Sequence, residues 1–341
     1  MDGSPRDVAQ LVYAACQCAC LVYDPLAQPG PGLVPVMSRA PSVTGTAKAV
    51  SMWKLGAGNT LIVSVRGTAS AADHMVNMNA EPEDASRVLG LPFRVDAHRG
   101  FLSCAKALLP SLPQEIARQL AADQRLSHVV FTGHSAGGAV ASLLFLHAAY
   151  NCLSRESPAA QPGEAPARRG RAAPRPKISL ATFGSAPVTS ADVTARAGEQ
   201  PSVGWMLAFV NEFDMVPRAD QPYTRSIVDL YRTRYGLPCR WTAVGGESCP
   251  LSQALCWTLP EPSHQLVGEV ILSRSALRAT RPTGDSASEV AAPQAASLMF
   301  IKVARAAFHN LVFCEVGVHK RRVYLERMRF LATGAWETPT Q

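Results

Sequence analysis

Apolar and polar positions along this chain switch repeatedly between a period near two and a period near 3.6. Residues 5 to 22 predict a helix, and the runs at 43–55 and 60–66, the latter Thr60-Leu-Ile-Val-Ser-Val-Arg66, predict strands. A helix near 100–122 follows. The β-branched and aromatic run Val129-Val-Phe131 then breaks into glycines and continues as the almost uncharged, helix-forming stretch Gly138 to Tyr150. Further strands are expected at Ile178–Gly184, Met206–Asn211 and Gly268–Leu272, with helices near 297–309 and 320–332. Strands alternating with helices predict an α/β fold with a mostly parallel central sheet and helices on both faces. No internal repeat is visible.

At 341 residues, with 47% hydrophobic and 17% charged side chains, the chain can bury a full core, and one α/β domain over 1–341 is expected. Two stretches break the pattern. Residues 155–177 are rich in Pro, Ala, Gly and Arg and predict a disordered insertion, and 276–296 predict a low-complexity loop. The net charge of +7 looks like a nucleic-acid signal until it is located. Six Lys/Arg against two Glu fall in 155–177, so most of the surplus belongs to a solvated insertion and no nucleic-acid partner is expected. The stretch Leu11 to Tyr23 is interrupted by Gln17, lacks a basic leader and is too short to span a bilayer. Nine cysteines without a framework argue against a disulfide-stapled secreted domain, so an intracellular location, peripheral to a membrane at most, is expected. Cys16, Cys18 and Cys20 fan around a helix and read as small packed hydrophobes, with S-acylation as the less favoured role.

The chemistry centres on Gly133-His-Ser135-Ala-Gly137, between a strand and a helix. A sharp strand-to-helix turn pushes its apex side chain outward, and glycines two positions away keep Cβ atoms from colliding with neighbouring backbone. Ser135 is therefore the candidate nucleophile, and the Ala136 N–H points where an acyl oxyanion would form. In an open α/β sheet, reactive groups gather at the carboxyl ends of strands. Arg66-Gly67-Thr68 ends one strand, and Thr68 can brace the same oxyanion. Asp214 falls just past another strand and before Pro217, where an acid that orients a histidine belongs; its rivals Asp220 and Asp229 read as solvent-facing. In α/β-hydrolases the order is nucleophile, acid, histidine, which leaves His264, His309 and His319. His264 lies too close to the following strand. His319, between a strand-like run and an amphipathic segment, is the expected base, and His309 is the alternative. His128 and His147 read as packing residues, and His134 is too constrained beside Ser135 to serve as its base. No metal-ligand spacing is present, so neither metal nor cofactor is expected.

Five segments occur in a fixed order: Val65-Arg-Gly-Thr68, His98-Arg-Gly-Phe101-Leu102, Thr132-Gly-His-Ser135-Ala-Gly-Gly138-Ala, Thr182-Phe183-Gly184-x-x-Pro187 and Val210-Asn-Glu-x-Asp214-x-Val-Pro217. Over about residues 43–220 the chain resembles the class 3 lipase family, the fungal-lipase-like branch of the α/β-hydrolases. The resemblance implies Ser135 as nucleophile, Asp214 as acid, and Thr68 with the Ala136 amide as oxyanion hole. It also implies a lid over about 69–80, whose mixture of Met75, Val76 and Met78 with Asp73 and Asn77 is amphipathic. The C-terminal third resembles the family weakly, so His319 rests on chain order and on Val318-His-Lys-x-x-x-Tyr324-Leu. The activity implied is a serine carboxylic-ester hydrolase acting on acylglycerols or phospholipids at a membrane or droplet surface. A non-catalytic lipase-like scaffold and an acyltransferase using the same triad are the alternatives.

Overall fold

The computed structural model describes residues 4–24, 28–42, 47–56, 58–69, 79–151, 153, 175–237, 240, 259–276 and 297–334. The amphipathic helix α1 (Pro5–Leu21) opens the chain, with Ser4 and Asp7 forming a reciprocal capping box at its start. Strands β1 (Leu33–Arg39), β2 (Val50–Leu55) and β3 (Thr60–Val65) follow, then the short pair β4 (Pro82–Asp84) and β5 (Asp96–His98) around helix α2 (Ser86–Leu89). Helices α3 (Arg99–Leu108) and α4 (Leu112–Ala122) precede β6 (His128–His134) and α5 (Ala136–Asn151). Next come β7 (Lys177–Phe183), α6 (Thr194–Gly198), β8 (Val203–Asn211) and α7 (Gln221–Arg234). The described chain closes with β9 (Glu269–Ala276), β10 (Ser297–Val303), α8 (Arg305–His309) and α9 (Arg321–Thr333).

Eight strands form one sheet in the order β1-β2-β3-β6-β7-β8-β9-β10. The five strands from β3 to β9 in that order are parallel, and antiparallel partners flank them on each side. This is the mostly parallel central sheet expected from the alternation of periods. Both faces of the sheet are covered, which is why β3 is buried along its whole length. Leu61, Val63, Phe131 and Leu180 pack on one side with Phe101, Ile116 and Leu143 from α3, α4 and α5. Ile62, Val130, Phe183 and Phe209 pack on the other with Val12, Ala15, Tyr324 and Met328 from α1 and α9. Cys16 and Cys18 sit in this second layer as packed small side chains, and burial pushes both thiols well above their ordinary range. Register aligns the carboxyl ends: Val65 pairs with Gly133, His134 with Phe183, and Phe183 with Phe209. The loops that follow β3, β6, β7 and β8 therefore emerge along one edge.

Several expectations need correction. The stretch 297–309 is not one helix. Residues Ser297–Val303 pair antiparallel with β9, and only Arg305–His309 is helical. Its Leu, Met and Ala content suits a helix, but the unsatisfied edge of β9 takes it as a strand. The helix expected over 100–122 is two, separated around Pro110, which cannot donate into a continuing helix. Of the run at 43–55, residues 43–46 lie outside the described residues, and the strand spans Val50–Leu55. Helix α7 is not among the predicted elements, because its buried face carries Tyr223, Ser226 and Asp229 rather than an apolar stripe. Asp220 and Asp229 consequently do not face solvent. Asp220 caps α7 by accepting from Tyr223 N at 3.0 Å, and Asp229 accepts from Arg240 N at 2.8 Å. The expected insertion at 155–177, apart from 175–177, and the loop 276–296, apart from Ala276, lie outside the described residues, as does 70–78 of the expected lid.

Candidate active site

Ser135 stands between β6 and α5 with φ of 59°, a left-handed conformation that a serine adopts only when its surroundings impose it. Those surroundings are glycine-dependent. A Cβ on Gly137 would run into the Val65 carbonyl and the Gly67 amide, and one on Gly133 into the backbone of Gly137 and Gly138. Ser135 N donates to Phe183 O at 3.0 Å, which ties the apex to β7, and Gly138 N donates to Ser135 O at 2.9 Å to start α5. Ser135 is half-buried at the floor of a cleft of about 1320 Å³. Thr68, Ala136 and His319 line the same cleft.

Asp214 follows β8 and is fully buried. Phe213 before it holds φ of 72°; it and Ser135 are the non-glycine residues at positive φ among the described residues, and both border this site. The Asp214 carboxylate accepts three hydrogen bonds. Its Oδ1 accepts from Val216 N at 2.9 Å, and its Oδ2 accepts from Tyr324 Oη at 2.6 Å and from His319 Nδ1 at 2.8 Å. With Nδ1 as the donor, His319 Nε2 is left as an acceptor. Burial, then the charge of Asp214, pushes the Tyr324 hydroxyl well above its ordinary value, so it stays a proton donor.

The loop carrying His319 is tied down from three sides. Asn211 Nδ2 donates to Val318 O at 2.8 Å, while Asn211 Oδ1 accepts from Ser273 Oγ at 2.7 Å and Asn211 N donates to Tyr324 Oη at 3.0 Å. His134 Nε2 donates to His319 O at 2.8 Å, its ring 4.6 Å from that of His319. His134 therefore links the elbow directly to the histidine loop. Burial, followed by the nearby charge of His319, pushes its pKa down to about 3, so the ring is neutral and its Nε2–H is available for this bond. Sequence reasoning gave His134, Asn211 and Tyr324 no part in the site. All three stood inside the motif segments quoted above, but their partners lie 62 to 185 positions away along the chain.

The other candidates fall elsewhere. His309 borders a small separate cavity with Arg218 and Phe308, away from Ser135. His264 is buried on the far wall of the cleft, where its Nδ1 lies 3.1 Å from Ser263 Oγ.

One half-buried and one buried histidine set a pH dependence of stability. His128, on β6, is pushed down to about 4 by burial and then Lys177, and His134 to about 3. In the unfolded chain both protonate near pH 6.5. Between about pH 6.5 and 4 the unfolded chain takes up protons that the folded one refuses, so stability is full above this window and is lost as pH falls through it. Thermal unfolding at pH 7.5, 6, 5 and 4 should show a falling Tm, with a smaller fall in His128→Gln. A flat profile contradicts this account.

Residues 62–223 match the family model described as Lipase (class 3), just under half of the chain, including Thr68, Ser135 and Asp214. No curated protein matches the chain. Among solved structures, the triacylglycerol lipase of Penicillium expansum is 14% identical, with 78% of this chain and 80% of that one covered and a TM-score of 0.49. The lipase of Rhizopus microsporus var. chinensis is 21% identical, with 64% and 70% covered and a TM-score of 0.47. Lipase II from Rhizopus niveus is 19% identical, with 62% and 75% covered and a TM-score of 0.46. Residues 62–223, with the ordered motifs they contain, carry the match to the class 3 lipase family.

Proposed function

We propose that the protein is a serine carboxylic-ester hydrolase that cleaves acyl esters of lipids. The observation that carries this reading is the buried Asp214 carboxylate bonded at 2.8 Å to His319 Nδ1, beside the same cleft that Ser135 enters from a left-handed elbow. In this reading the ester carbonyl lies over Ser135. His319 Nε2 takes the hydroxyl proton as Oγ attacks, and the imidazolium is stabilised by Asp214. Negative charge gathering on the carbonyl oxygen meets the Ala136 N–H at the start of α5 and the Thr68 hydroxyl. His319 returns its proton to the departing alcohol. Water, deprotonated by the same nitrogen, then releases the acid from the acyl-enzyme. The residues around Ser135, among them Tyr23, Phe101, Ala186, Pro187 and Val216, are largely apolar, as an acyl chain requires.

Hydrolysis of p-nitrophenyl esters from acetate to palmitate tests the reading. Activity is expected to rise with chain length until the cleft is filled. No hydrolysis at any chain length or of emulsified lipid would overturn it in favour of a lipid-binding scaffold.

A further inference from the structure

The charges around the cleft are unevenly distributed. Among its described lining residues four are cationic, Arg225, Lys320, Arg321 and Arg322, and one is acidic, Asp220. Asp220 cannot balance them at the mouth. It is buried, with Oδ1 accepting from Tyr223 N and Oδ2 from the backbone N–H and hydroxyl of Ser263. The cations come from two sides. Arg225 projects from α7 one turn after Gln221, and Lys320, Arg321 and Arg322 directly follow His319.

Arg321 is held in place. Its guanidinium lies 3.9 Å from the Tyr23 ring centroid and its Nη1 donates to Cys20 O at 3.4 Å. Arg322 pairs with the exposed Glu326 at 3.2 Å across one helical turn. Among the described residues neither Arg225, Lys320 nor Arg321 has a carboxylate within ion-pair distance. Three of these cations also occupy the cap and first turn of α9, which holds no acid. Cations are unfavourable at that end of a helix, and an anion at the mouth of the cleft relieves the conflict. An apolar floor beneath a cationic rim matches a molecule with acyl chains at one end and lasting negative charge close to the ester.

We propose that the rim formed by Arg225 and Lys320–Arg322 is a subsite for the anionic phosphate of the substrate's headgroup, making the preferred substrate an anionic glycerophospholipid. This rests on the hydrolase reading of the preceding section. In a glycerophospholipid the phosphate lies only a few bonds from the acyl esters, so a headgroup at the rim leaves an ester carbonyl over Ser135. Guanidinium groups suit phosphate because they form paired, charge-assisted hydrogen bonds.

The test compares dihexanoyl-phosphatidylglycerol, dihexanoyl-phosphatidylcholine and dihexanoylglycerol, all as monomers below their micellar concentrations, with the full chain. The expected kcat/KM is about tenfold higher for phosphatidylglycerol than for dihexanoylglycerol at low salt, with the gap closing as salt is raised. Arg225→Glu and Arg322→Glu should each remove most of that preference while leaving p-nitrophenyl butyrate hydrolysis unchanged. No preference in the wild type, or an equal preference in both variants, overturns the proposal. In a separate arm, dihexanoylglycerol is presented in phosphatidylcholine vesicles with and without phosphatidylglycerol. A preference seen only with anionic vesicles and absent with monomers shows attraction to a charged surface and also overturns the subsite. Calorimetric titration of Ser135→Ala with the same monomers reads binding without turnover. Tighter binding of phosphatidylglycerol there sustains the subsite even if no ester is hydrolysed, so failure of the hydrolase reading and failure of the subsite are separable.

Discussion

Ser135→Ala is expected to lower kcat on p-nitrophenyl butyrate by a factor on the order of 10⁵ or more, leaving the Tm within a few degrees of wild type. In the proposed mechanism Oγ is the atom that bonds to the acyl carbon, and no other hydroxyl among the described cleft residues replaces it at the elbow's apex. Thr68 borders the same cleft, but it follows a different strand and does not stand on the strained turn. Stability is nearly unchanged because alanine meets the same cost at φ of 59° as serine, and the backbone bonds to Phe183 and from Gly138 remain. A p-nitrophenyl alkylphosphonate, which traps an activated serine, should label the wild type at one equivalent and the variant not at all. Activity within tenfold of wild type would remove Ser135 from the mechanism.

Asp214→Asn is expected to cost about 10⁴ in kcat, with a small change in KM for soluble esters. The side chains are nearly the same shape: with the amide oxygen at Oδ1 Val216 N keeps its acceptor, and the NH₂ then stands at Oδ2, facing both His319 and the Tyr324 hydroxyl, which can turn to accept from it. The change falls on His319. Aspartate accepts from Nδ1 and leaves Nε2 free to take a proton, whereas an asparagine NH₂ facing the ring favours a proton on Nε2, where it blocks attack. The fully buried position also removes the negative charge that stabilises the imidazolium where water cannot replace it. Circular dichroism unchanged from wild type, with kcat reduced as stated, is the expected pair of results. Retention of kcat within tenfold would move the orienting acid elsewhere.

The depth to which the chain could be read follows the distance over which each feature is decided. The elbow was legible because its requirements are local: a strand, a glycine on each side of the apex, and a helix, all within about twenty residues. Asp214 was legible because a parallel sheet gathers the carboxyl ends of its strands. The base remained a choice between His319 and His309, since nothing near either residue in the chain separates them. What distinguishes them is which loop Asn211 and His134 hold over the elbow, through partners more than 100 positions away. Tyr324 stood in a quoted segment, yet its contact with Asp214 spans 110 positions and leaves no periodic trace.

Misread elements have physical reasons as well. Helix α7 has no apolar stripe because Ser226 and Asp229 take up its buried face, although Asp220-Gln-Pro222 is a recognisable helix start. Strand β10 exposes Met299 and Ile301 while burying Leu298, an edge pattern set by pairing with β9 rather than by composition. The cationic rim was invisible for a related reason. Lys320-Arg-Arg322 reads as a charged helix start until folding brings Arg225, 95 positions earlier, to the same cleft.

By itself the sequence determined the fold class, the turn that carries Ser135 and the strand end carrying Asp214, because short-range sterics and the period of apolar residues fix these before any distant contact forms. Tertiary structure alone decided which histidine meets the acid, which hydrogen bonds hold it there and which charges surround the cleft. Each of those depends on packing residues far apart in the chain, and such contacts leave no mark on local periodicity.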